Sequence, residues 1–284
     1  MNNRVEEILN KTNLNWTVRS EEIQTESGII IPDHKALIRE DNDHVLSIRS
    51  KTYTPFQNEE LVELLDRVSG MTGYEIKNGG SFSGGGKVFV QLKSNNLILG
   101  DDVVEGYLTG INSFDGSTSL AFGPSNVTIS CMNTFFASFR EIKTRVRHTK
   151  NMKVQVEEIC QRLENAQKEE KKIFEKITRF NETPFDDVLK QRVIKTLFDI
   201  DQKLDLTKVD DLEQISTRTQ NNLSRFYVDL NGELQQKGET MWGLFSGITK
   251  YTTHSLKGEM MENKMFGQYG KRELNIFNHM TELV

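Results

Sequence analysis

From His44 to Tyr53 apolar and polar residues alternate in strand fashion, with Val45, Leu46 and Ile48 as the apolar members. The period then lengthens. Over residues 54–70, Phe56, Leu61, Leu64, Leu65 and Val68 recur at helical spacing. Thr54 is placed to cap this helix, Pro55 suits its first turn, Glu59 and Glu60 favour its N-terminal end, and Gly70 closes it. Four strand-like pieces follow, "YEIKN", "KVFVQLKS", "VVEGYLTGINS" and "TSLAFGPSNVTIS", separated by Gly, Asn and Asp turns. "CMNTFFASFREIK" (131–143) reads as a helix.

Beyond residue 150 the pattern becomes helical and charged. Val156, Ile159, Leu163, Ala166, Ile173, Ile177 and Phe180 form an a/d heptad stripe, broken at Glu170. A second helix is expected over 182–200, with Thr183 as cap and Pro184 in the first turn. Two further candidates are "DDLEQISTRTQNNLSRFYVDL" and "GETMWGLFSGITKYTTH". In the latter Trp242, Phe245, Ile248 and Tyr251 recur at helical spacing and read as core or subunit packing. Tyr251 and His254 are also placed to stack on bases. The expected fold is α+β: an antiparallel β-sheet body with packed helices over 1–150, then a mainly helical region over 151–284. That region either packs on the body or serves oligomerisation.

Composition narrows the classes. Hydrophobic content of 36% and charged content of 27% fit a globular chain, and no apolar run is long enough to span a bilayer. Glu6 and Glu7 stand where a signal peptide would be apolar, so a cytoplasmic location is expected. Cys131 and Cys160 make no disulfide framework, and no Cys/His cluster suggests a metal. No cofactor is implied. A net charge of −5 gives no global attraction to nucleic acid, so such binding requires a local patch.

"GGSFSGGGKVFVQLKS" (79–94) invites comparison with a phosphate loop. Yet Val88 follows Gly86-Lys87 where Ser or Thr is required, and Ser81 stands where the first glycine should be. The stretch after it alternates like a strand, whereas a phosphate loop opens a helix. It reads as a hairpin turn, with Lys87 as a charge available to a polyanion.

The basic stretch is "FREIKTRVRHTKNMK" (139–153). Arg140, Lys143, Arg145, Arg147, Lys150 and Lys153 stand against Glu141 alone, six charges against one, an excess of about +5 with His148 neutral. It reads either as a stripe contacting nucleic-acid phosphates or as a solvated connector paired with the acidic residues that follow. If extended, Lys143, Arg145 and Arg147 share one side. "NSFDGSTS" places Asp115 in an Asp-Gly turn, and Cys131 reads as a packed thiol. No catalytic spacing is visible, and a non-enzymatic role is favoured.

With those residues in view, the sequence resembles a family of phage and plasmid proteins that carry a domain of unknown function. "YTPFQNEELVELLDRV" looks like the family's Tyr, Asn-Glu and apolar helix; "GGSFSGGGKVFVQLK" is similar to its glycine hairpin, where Gly-Arg-Arg is commoner than this Gly86-Lys87. "YLTGINSFDGSTS" looks like its Asn-x-x-Asp-Gly-Ser loop, and "ISCMNTFFASF" with "VRHTKNM" resembles its Cys-x-Asn-Thr and His-Thr pair. "ETMWGLFSGITKYTTH" and "MFGQYGKRELNIF" look like its Trp-Gly and Phe-Gly segments. The resemblance implies action inside a bacterial host and marks Tyr53, Asn58, Glu59, Asp115, Cys131, Asn133, Thr134, His148 and Thr149 as positions to test. The order of elements is also similar to that of the Red-beta and Erf single-strand annealing proteins, a fold-level analogy.

The expected function is a nucleic-acid-binding accessory of replication or recombination. It would bind single-stranded DNA through Arg140, Lys143, Arg145, Arg147, His148, Lys150 and Lys153, with Lys87 as a second contact, as a homo-oligomer. The alternatives are a phage protein that inhibits a host defence complex, and an enzyme or small-molecule binder centred on Asp115, Cys131 and His148.

Overall fold

Alternating and helical periods sort into two antiparallel sheets followed by a run of helices. The computed structural model describes residues 3–100, 102–128, 133–135, 145–146, 163–255 and 260–284. Helix α1 (Asn3–Lys11) precedes a three-stranded sheet of β1 (Val18–Gln24), β2 (Ile30–Arg39) and β3 (Val45–Ser50), in that order. Helix α2 (Asn58–Thr72) leads to β4 (Glu75–Phe82), β5 (Lys87–Leu99), β6 (Asp102–Ser113), β7 (Leu120–Thr128) and β8 (Asn133–Phe135), which pair in sequence order. A short β9 (Arg145–Val146) also pairs with β7.

Two compact units emerge. Among the described residues, the first takes 3–95, 106–124, 145–146 and 163–168, and the second takes the rest. In the first unit one face of α2, with Leu61, Leu64, Leu65 and Val68 buried, joins Val5, Trp16, Leu37, Val90, Leu108 and Phe122 in a single core. The helix lies close on β6. A Cβ at Gly110 would sit 2.8 Å from the Phe122 ring and 3.0 Å from Leu65 Cδ1, so no side chain fits there.

The ends of α2 differ from expectation. It starts at Asn58, not beside Thr54, because Gln57 is the extended capping residue (ψ 157°) and the Glu60 carboxylate accepts its backbone N–H at 2.8 Å. Phe56 and Leu61 occupy the two staple positions flanking that cap, and both are buried. Gly70 lies inside the helix, and the stop is Gly73, whose φ of 74° is the left-handed conformation glycine adopts freely.

Strand β3 forms where the alternation places it, but two of its apolar residues, Val45 and Ile48, point outward and are more than half exposed. The strand turns Ser47 and Arg49 toward the β6–β7 connection instead, where both hydrogen-bond. The helix expected over 131–143 is not formed at Asn133–Phe135, which pair antiparallel with Asn126–Thr128 as β8. An open strand edge on β7 decides this, since Thr and Phe suit a strand at least as well as a helix.

From Glu169 onward the second unit is helical, the elements being α3 (Leu163–Glu182), α4 (Asp187–Phe198), α5 (Val209–Leu212), α6 (Thr217–Lys237), α7 (Met241–Lys250), a π-helical turn (Tyr251–Ser255), α8 (Met260–Phe266) and α9 (Gln268–Thr281). Its core gathers Phe180, Phe245 and Phe277, whose rings lie 5.2–6.4 Å apart, and Phe198, Phe226 and Tyr251 at 5.3–5.8 Å. The packing residues Trp242, Phe245, Ile248 and Tyr251 all belong to it. Tyr251 is fully buried and offers no stacking platform. Ile173, Ile177 and Phe180 of the heptad stripe face this core, and Glu170 is buried; Val156 and Ile159 lie outside the described residues. Asp186, not Thr183, caps α4 by accepting Leu189 N–H at 2.7 Å, and Pro184 bridges to Thr240.

Candidate functional site

The glycine stretch is a β4–β5 hairpin in which Phe82 pairs with Lys87 across the turn Ser83–Gly86. Gly84 and Gly85 take φ of 66° and 108°, open to glycine at little cost. The hairpin is held from outside. Arg39 stacks 4.2 Å above the Trp16 ring and donates to Gly84 O at 2.9 Å, and Gly86 O accepts from the amides of Phe114 and Asp115 at 2.8 and 3.2 Å. These carbonyls are engaged within the protein and tie the turn to β2 and to the β6–β7 connection.

Opposite it, the β6–β7 connection carries Asp115. Its Oδ1 accepts from Ser117 N–H at 2.8 Å, an Asx turn, and its Oδ2 lies 3.0 Å from the Lys87 ammonium. Burial works to raise this carboxyl, but the Ser117 hydroxyl and amide and the Lys87 charge outweigh it and hold it below the usual carboxylate range. Arg49 donates to Asp115 O, and Ser47 Oγ to Phe114 O at 2.6 Å. Tyr53 donates to Ser113 O at 2.8 Å, and burial pushes its phenol up. Asn112 donates to Phe56 O at 2.6 Å, while Asn58 donates to Leu14 O and Trp16 O at 3.2 and 3.0 Å.

The structure therefore brings together Tyr53, Lys87 and Asp115, and sets Asn58 and Glu59 at the start of the nearby α2. Apart from the Lys87–Asp115 pair, these bonds fix backbone segments. A carboxylate already held by an ammonium and an amide is poorly suited to act as a general base. Lys87, expected as a second phosphate contact, is 9% exposed and pairs with Asp115 at 3.0 Å. Arg140, Lys143, Arg147, His148, Thr149, Lys150, Lys153 and Cys131 lie outside the described residues. Asn133 and Thr134 lie in β8, and Arg145 lies in β9 opposite Ala121.

A domain described as "Domain of unknown function (DUF932)" matches residues 45–272, most of the chain. The chain belongs to the DUF932 family. No curated protein and no solved structure matches it. The DUF932 match starts at the first residue of β3 and so includes Arg49, Tyr53, Lys87 and Asp115, but it excludes Trp16 and Arg39, which brace the hairpin.

Sequence reasoning missed Ser47, Arg49 and Arg39 because their partners are 45 to 67 residues away. It also missed two buried charge groups of the second unit in this DUF932 protein. Glu233 takes Lys237 at 2.6 Å and Lys250 at 3.1 Å, and Lys237 reaches Asp102 at 3.3 Å. Burial raises the Glu233 carboxyl, and the two ammonium groups more than reverse that. Only the i,i+4 spacing of Glu233 and Lys237 was a readable signal. Lys264 and Glu273 form a fully buried pair at 3.0 Å, with Thr252 donating to the carboxylate. Among the described residues no helix is long and apolar enough to cross a membrane, and no group of His, Cys, Asp and Glu has metal-binding geometry.

Proposed function

We propose that this DUF932 protein binds single-stranded nucleic acid through residues 139–153, as an accessory of replication or recombination encoded by a phage or plasmid and acting in the bacterial cytoplasm. The observation that carries the reading is the run of six cations against one carboxylate in a chain of net charge −5. The two described residues of the run, Arg145 and Val146, are extended and lie along β7. Alternate residues of an extended segment share one side. Anisotropy titration of a labelled single-stranded oligonucleotide tests the reading: wild type binds and Arg145→Ala/Arg147→Ala binds much more weakly, whereas equal binding by both proteins sinks it.

A second reading, a protein-interaction role, is favoured by the first sheet. Ile29, Ile30, Val45 and Ile48 of the β2–β3 region are each more than half exposed, an apolar set that water disfavours. Stoichiometric capture of one host protein, lost in Val45→Ser/Ile48→Ser, would support it over nucleic-acid binding.

A further inference from the structure

In the second unit the C-terminal end of α4 and the first turns of α9 enclose a cleft of about 660 Å³. Helix α4 ends at Asp199 in the left-handed conformation (φ 59°), and the chain folds back so that Ile200 N–H bonds to Lys195 O at 2.9 Å. Arg272 of α9 fastens that end: Nη1 donates to Leu197 O at 2.9 Å and Nη2 meets the Asp199 carboxylate at 3.0 Å. Asp201 is engaged too, accepting Lys203 N–H at 2.9 Å as a turn cap.

Both carboxylates of the lining are thus accounted for, while its lysines are not. Lys195 is 7% exposed, and its ammonium makes one hydrogen bond, to Gln202 O at 3.1 Å. Among the described residues no carboxylate lies within ion-pairing distance of Lys195 or of the exposed Lys271. The lining holds three cations against two carboxylates, a net +1. An ammonium has three donors, and Lys195 spends one of them on Gln202 O. A bound anion would use the remaining donors and compensate the charge.

We infer that this cleft binds a small phosphate-bearing, hydroxylated molecule, of the sugar-phosphate class, with the phosphate on Lys195, Lys271 and Arg272. A phosphate carries up to two charges and several acceptor oxygens for cations arriving from two helices, which a carboxylate does not. Gln268 and Asn275 supply donors and acceptors for hydroxyl groups, and Thr196 Oγ1, whose proton goes to Arg192 O at 2.9 Å, can accept from one. The lining contains no aromatic ring, so nothing is present to stack a base. The site is independent of the 139–153 stripe and of the nucleic-acid reading.

Thermal unfolding and calorimetric titration of the full chain with ribose 5-phosphate, inorganic phosphate and ribose test the assignment. Ribose 5-phosphate is expected to raise Tm with concentration and to bind more tightly than inorganic phosphate, with no response to ribose. Lys195→Met is expected to weaken ribose 5-phosphate roughly tenfold to a hundredfold, the range of a charge-assisted hydrogen bond, without lowering the Tm of the ligand-free protein. Lys271→Gln, at an exposed position with no risk to folding, should weaken it severalfold. No response to ribose 5-phosphate, or an unchanged response in both variants, would overturn the site. A Lys195→Met protein that loses stability but keeps its response would confine that ammonium to its bond with Gln202. Lys195-dependent binding of a 5′-phosphorylated oligonucleotide alone would overturn the small-molecule assignment.

Discussion

Lys87 Nζ stands 3.0 Å from Asp115 Oδ2, and this pair joins the β4–β5 hairpin to the β6–β7 connection. Both partners are mostly but not wholly buried, so removing one leaves a partly screened charge. Asp115→Asn is expected to cost about 1–2 kcal/mol in urea unfolding at pH 7, less than for a fully buried pair.

The same residue sets an acid dependence. The folded carboxyl of Asp115 titrates below its ordinary value, so its stabilisation is present above the unfolded pKa and is lost as pH falls through the folded one. The difference in stability between wild type and Asp115→Asn should be constant from pH 6 to 8 and should shrink below about pH 4. A difference that grows on acidification would contradict the assigned direction.

Lys264 and Glu273 make the contrasting case. Burial pulls the Lys264 ammonium down and pushes the Glu273 carboxyl up, each opposed by its partner. A lowered lysine contributes stability that is lost as pH falls through its folded pKa, and a raised carboxyl contributes stability lost as pH rises through its own. At neutral pH both ionised forms therefore carry a cost that only the pairing offsets. Lys264→Met alone should cost about 3–5 kcal/mol by stranding a buried carboxylate, and Lys264→Met/Glu273→Leu should cost clearly less than that. A double-mutant cycle in urea measures it.

Two glycines separate helix propensity from packing. Gly70 is exposed inside α2, and nothing lies within 4 Å of the place an alanine methyl would take, so Gly70→Ala should raise stability by about 0.5–1 kcal/mol. At Gly247 a Cβ would lie 2.7 Å from Leu230 Cδ1 and 2.9 Å from Leu230 Cα, with α6 backbone in the way. Gly247→Ala should cost about 1–3 kcal/mol or more. Thermal unfolding of both variants shows whether the signs are opposite.

Helix α2 and strands β4 to β7 were legible from their periods, because their apolar residues meet cores within their own unit. Alternation alone did not say which side of β3 faces inward, and the polar Arg49 took the inner position because Asp115 O lies opposite. Asn133–Phe135 read as helix, since Phe and Met spacing fits both periods and only the edge of β7 selects the strand. The hairpin was legible from its glycines, whereas Arg39 on Trp16, Lys195 over Gln202 and Lys264 on Glu273 join residues by contacts that left no local pattern.

Phosphate contacts by the 139–153 run are tested most directly by the salt dependence of binding. The Kd for a single-stranded oligonucleotide should be measured across a salt series for wild type and Arg145→Ala/Arg147→Ala. Log Kobs is expected to fall linearly with log salt, with a slope about 1.4 smaller in magnitude in the variant, near 0.7 for each phosphate contact removed. Identical slopes for the two proteins, or binding by wild type that does not respond to salt, would contradict it.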